Sequence, residues 1–70
     1  MLSIKQCNHN EYLLMVPIEW EEREIKNYLA DTYGVYRQRV QVNHIVYEFE
    51  KKKQKLVRVK VIGGIEMGVE

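Results

Sequence analysis

With Cys7 as its only cysteine, the chain cannot close a disulfide on itself. A lone thiol fits a reducing compartment. The opening residues Met1–Leu2–Ser3–Ile4–Lys5 hold no basic leader followed by an apolar block, so a cytoplasmic protein without a targeting peptide is expected. Long apolar runs are missing too. The longest, Tyr12 to Val16, is cut by Pro17 and falls far short of the roughly 18 residues that a membrane span needs. No membrane partner is therefore expected. Glycine is scarce and proline occurs once, which leaves no linker or low-complexity segment. Seventy residues give room for a single domain, 1–70, and a domain of that size buries only about 60% of its unfolded surface.

The usual constellations of catalysis and metal binding are also thin. Cys7, His9 and His44 are the strongest metal-ligand types present, but a structural zinc site wants four ligands in recognisable pairs and no second pair exists. Ser3 and Thr32 are isolated hydroxyls with no nucleophile-elbow pattern around them. Gly63, Gly64 and Gly68 lack the Lys-Ser/Thr and the following helix of a phosphate-binding loop. No catalytic residue, metal or cofactor is expected, and the chain reads as a binding or regulatory module rather than an enzyme.

The residues that are present pattern clearly. Leu2 to Cys7 reads as a strand, Asn8–His9–Asn10 as a turn, and Glu11 to Val16 as a second strand paired in a hairpin and closed by Pro17. From Glu19 to Tyr33 the period becomes helical, with Ile18, Ile25, Tyr28, Leu29, Thr32 and Tyr33 on one face. Acidic residues crowd its first turns. Glu19 with Arg23 and Glu22 with Lys26 are spaced as i,i+4 pairs, and Gly34 stands where a left-handed cap belongs.

Val35 to Glu50 is β-branched and aromatic, hence strand. Its apolar positions switch from even (Val40, Val42) to odd (Ile45, Tyr47, Phe49), which requires a bulge near Asn43–His44. Glu50 to Gln54 reads as a charged loop, and Lys55 to Ile62 as a strand with Val57, Val59 and Val61 inward. Ile45, Tyr47 and Phe49 are then expected beside those valines. Ile65, Met67 and Val69 alternate again as a possible short fifth strand or tail. The order predicts an α+β fold: a small antiparallel sheet in β-β-α-β-β order with one amphipathic helix packed on one face.

The net charge of +1 hides an asymmetry. Between Arg37 and Lys60, eight basic residues meet two acids, whereas the remainder carries three basic residues and eight acids. The basic set is Arg37, Arg39, Lys51, Lys52, Lys53, Lys55, Arg58 and Lys60. A hairpin tip rich in lysine, flanked by strands with outward cations and by Tyr36 and Tyr47, suits nucleic acid: lysines on phosphates, tyrosines on bases. Lysine at tips and edges also simply discourages aggregation, and no RNP-type, KH or helix-turn-helix signature accompanies it. A protein partner or self-association is the alternative. It would use Trp20 among acids such as Glu21 and Glu24 as an anchor, the other reading of Trp20 being a lid folded onto the core on the Pro17 side, or the Ile65/Met67/Val69 segment as a donated strand.

Overall fold

The computed structural model describes residues 2–66. Four strands, β1 (Ile4–Gln6), β2 (Glu11–Pro17), β3 (Val40–Phe49) and β4 (Gln54–Val61), form one sheet, with α1 (Glu22–Tyr33) between β2 and β3. The spatial order is β1-β2-β4-β3, every pairing is antiparallel, and β4 lies in the interior of the sheet. The α+β class and the β-β-α-β-β order are those read from the sequence.

The core lies between α1 and one sheet face. Tyr12, Leu14 and Val16 alternate inward from β2, Val57, Val59 and Val61 from β4, and Val40 from β3; Ile25 and Leu29 descend from the helix. Tyr28, Tyr33, Trp20 and Ile4 close the margins. Tyr12 carries the one hydroxyl in this core, and Ile65 answers it: the Ile65 N–H donates to Tyr12 Oη at 2.7 Å. A buried hydroxyl without such a partner would cost free energy, so the bond fixes the residues after β4 against the first hairpin. Gly64 makes the approach possible. Its φ is +75°, a backbone state that favours glycine, and a Cβ there would sit 3.0 Å from the His9 carbonyl oxygen, a tight contact that would press the turn outward.

Element boundaries shift from expectation for local reasons. β1 begins at Ile4 rather than Leu2, because the Leu2 N–H leaves the ladder and donates to Tyr28 Oη at 2.9 Å. Its turn is built by Asn8, whose Oδ1 accepts the N–H groups of Asn10 and Glu11, both at 3.0 Å. The helix begins at Glu22, not Glu19. Trp20 N–H closes a turn onto Pro17 O at 3.1 Å, and Glu24 accepts the Glu21 N–H at 2.9 Å, which starts the helix after Glu21. Glu19 therefore stands before the helix; among the described residues the only i,i+4 ion pair is Glu22–Lys26 at 3.1 Å. Gly34 caps the other end at φ +72°, its N–H on Ala30 O.

β3 starts at Val40 because Arg37–Arg39 form a 3-10 turn. The expected bulge lies between Val42 and His44, and a second one lies between Ile45 and Tyr47. Each inserted residue flips the side-chain phase, so the second undoes the first. Ile45 faces Val57 on the helix side, as expected. Tyr47 pairs with Leu56 and Phe49 with Gln54, on the opposite face from the valines, so the three residues do not share a side. After β4, Ile65 is buried but belongs to no strand; Met67 and Val69 lie outside the described residues.

Candidate nucleic-acid interface on the open sheet face

The face away from α1 has no layer over it among the described residues. Its side chains stand in rows across β2, β4 and β3: Leu13, Arg58 and His44; then Met15, Leu56 and Tyr47; then Pro17, Gln54 and Phe49. The middle row is wholly apolar apart from one phenol. Tyr47 is 60% exposed and meets Phe49 edge-to-face, with ring centroids 4.7 Å apart. The second bulge delivers both rings here, and a single phase change in β3 would have sent them to the core.

The lysine tip adjoins this aromatic corner. Glu50–Lys52 make a 3-10 turn, and Lys53 takes a left-handed conformation (φ 56°). The Lys53 carbonyl accepts the Ile18 N–H at 2.9 Å, which braces the tip against the turn after β2. Lys51, Lys52 and Lys53 are exposed, and Lys52 Nζ lies 5.8 Å from the centre of the Phe49 ring, within cation–π range. Tyr47, Phe49, Lys51 and Lys52, with Glu48 and Glu50, line a shallow concavity of about 350 Å³.

The eight basic residues singled out in the sequence divide into separate groups. Lys51, Lys52 and Lys53 stand together at the tip. Lys55 points to the helix side, where its ammonium donates to Trp20 O at 2.6 Å. Arg58 is on the open face but contacts Glu11 at 2.8 Å; this hydrogen bond, followed by that from Asn8, holds the Glu11 carboxyl below its ordinary pKa. Lys60 sits on the same face, between Glu11 and Gln41. Arg37 and Arg39 lie at the far end of the β3–β4 hairpin from the tip. Arg37 reaches Asn27 on α1 at 3.4 Å, and Arg39 stacks on Tyr36 at 6.0 Å with its guanidinium beside Gly63.

The residues proposed from sequence as a protein anchor serve the fold. Trp20 is half-buried against the core and packs on Tyr28 at a centroid distance of 5.9 Å. Glu21 and Glu24 form the helix cap, and the backbone N–H groups of Glu21 and Glu24 hold the Glu24 carboxyl below its ordinary pKa. What sequence reading missed is the apolar row Leu13, Met15 and Leu56. Its signal was present in the odd positions of β2, but Leu13 and Met15 are apolar like the core residues between them. Among the described residues, no three His, Cys, Asp or Glu side chains gather as a metal site, and no helix is long and apolar enough to cross a membrane. Compared with family models, curated proteins and solved structures, the chain matches none.

Proposed function

We propose that the chain is a small non-catalytic module that binds single-stranded nucleic acid on the open sheet face beside the Lys51–Lys53 tip. The observation that carries this reading is the juxtaposition of an exposed Tyr47 ring with Lys51 and Lys52 across one concavity, with Lys53 exposed beside them. Every base offers a π-face to an aromatic platform, while lysines neutralise the phosphates that follow it. A duplex hides its bases from such a platform, so the geometry favours single strands. Of the basic residues, Lys51, Lys52 and Lys53 supply the phosphate contacts. Arg58 is already engaged by Glu11 and Lys55 by a backbone carbonyl. The exposed thiol of Cys7 suits a reducing, cytoplasmic setting.

With three phosphates neutralised, log K falls with log salt at a slope of about −2, at roughly 0.7 per phosphate for a single strand. The test is fluorescence anisotropy with labelled single-stranded RNA and DNA at two salt concentrations. Tyr47→Ala removes one stacked base, worth about 1–3 kcal/mol, and leaves the salt slope intact. Lys51→Glu with Lys52→Glu flattens the slope. Undiminished affinity in both variants, or no binding of either strand at low salt, overturns the assignment.

A protein partner is the second reading, favoured by the uncovered Leu13–Met15–Leu56 row. It predicts a complex that withstands high salt, since apolar burial is not screened. A mass in solution that rises with concentration and is reset by Leu56→Glu would point to self-association through this face.

A further inference from the structure

On the helix side of the molecule, away from the open sheet face, a second concavity of about 530 Å³ is lined by Glu22, Arg23, Lys26, Arg37 and Gln38. Two segments far apart in sequence build it: the outer surface of the first half of α1 and the 3-10 turn before β3. Three cations face one carboxylate, leaving two positive charges in excess. Lys26 is held by Glu22 at 3.1 Å. The Arg37 guanidinium has one long side-chain bond, 3.4 Å to Asn27. Arg23 has no hydrogen-bonding or ionic partner among the described residues. Two guanidinium groups with spare donors thus line the same groove, and nothing in the fold explains why they gather there.

We infer that this groove takes a phosphate ester of small-molecule size, with its phosphoryl group on Arg23 and Arg37. A guanidinium donates in a planar fork that matches two phosphoryl oxygens at once. A dianion also balances the excess charge, which a monocarboxylate would not. The groove falls within the roughly 300–1,000 Å³ of small-molecule sites and exceeds what one phosphoryl group fills. The rest of the ligand therefore lies along the stems of Lys26 and Gln38, where Glu22 can accept a hydrogen bond from a ligand hydroxyl or amine. Phosphate esters come free, as nucleotides, or as the 5′-phosphate of a nucleic-acid strand.

The test is a titration followed by backbone amide NMR at constant ionic strength. The probes are adenosine 5′-monophosphate, inorganic pyrophosphate, adenosine, and one oligonucleotide with and without its 5′-phosphate. Saturable shifts at Arg23, Lys26, Arg37 and Gln38 with the phosphorylated probes, and none with adenosine, are expected. Arg37→Gln and Arg23→Gln each weaken binding roughly three- to ten-fold, the size of one lost charge-assisted contact at a partly exposed site. Lys51→Glu with Lys52→Glu leaves binding of adenosine 5′-monophosphate and pyrophosphate unchanged, so failure of the nucleic-acid reading does not touch it. A response only to the phosphorylated oligonucleotide identifies a strand end as the source. With adenosine 5′-monophosphate and pyrophosphate, shifts that never saturate, that concentrate on Lys51–Lys53, or that survive both arginine substitutions overturn the site.

Discussion

Val57, Val59 and Val61 of β4 are buried under α1, whereas their neighbours Leu56, Arg58 and Lys60, on the same strand, keep part of their surface in water. The two faces also differ in how well packing accounts for them. On the closed face the apolar residues of β2 and β4 pack beneath Ile25 and Leu29, and Ile45 of β3 is left half exposed at the margin. On the open face Leu13, Met15, Leu56, Tyr47 and Phe49 gather with no layer above them, in a protein whose small size gives it little apolar surface to spare. The comparison teaches where function is to be sought: apolar residues that the core does not need point to something outside the chain.

Four substitutions sharpen that contrast, beginning with the largest effect and its counterpart on the open face. Leu29→Ala, on the closed side, leaves a cavity among fully buried neighbours and should cost about 3 kcal/mol. Leu56→Ala, in the middle of the open face, should cost about 1 kcal/mol or less, because part of the side chain is in water already. Urea midpoints of the two variants measure the difference directly. Equal losses would mean that the open face is covered in solution. Next, Tyr12→Phe keeps the ring but removes the acceptor of the Ile65 N–H, leaving a buried donor unpaired at a cost of about 2 kcal/mol. Faster amide exchange at Ile65, ahead of β4, would locate the loss there; exchange unchanged throughout would show that the hydroxyl holds nothing.

The smallest effect concerns Glu11→Gln. The bonds from Arg58 and Asn8 depress the Glu11 carboxyl in the folded chain. Its contribution is therefore complete above the unfolded glutamate pKa and is lost as pH falls through the lower, folded one. The substitution should lower the urea midpoint slightly at neutral pH, with the gap closing toward acid. A gap that persists at the acidic end would mean that Glu11 acts through packing rather than charge. Because both partners are solvated, the whole effect stays small.

Composition and period were enough to read the elements themselves, since β2 is a short apolar run between a turn and Pro17, β4 alternates valine with Arg58 and Lys60, and α1 carries Ile25 and Leu29 on one stripe. Strand order was not readable. Nothing local in Gln54–Val61 states that it will sit between β2 and β3, because neighbour choice is settled by the summed fit of whole faces. The second bulge was equally hidden. Two one-residue insertions cancel in phase, and the pattern Ile45, Tyr47, Phe49 reads as one uninterrupted strand. The basic cluster was half legible. Charge composition identified the Lys51–Lys53 tip, but it could not show that Glu11 meets Arg58, that Trp20 O holds Lys55, or that Arg37 turns back to the helix.

The interior position of β4 bears on the order in which the molecule can be assembled. A ribosome delivers β1, β2 and α1 first, yet β2 pairs with β4, and Tyr12 finds its hydroxyl partner 53 residues later, at Ile65. Until that segment has emerged, the inward row of β2 has no β4 row beside it to complete the core, and β3 has no strand to lie against. β4 thus enters last, between strands made before it, and locks both at once. Such long-range closure slows folding relative to a chain of local contacts. It also makes every shorter nascent form an open one, so completion of this sheet is a single event that waits on β4.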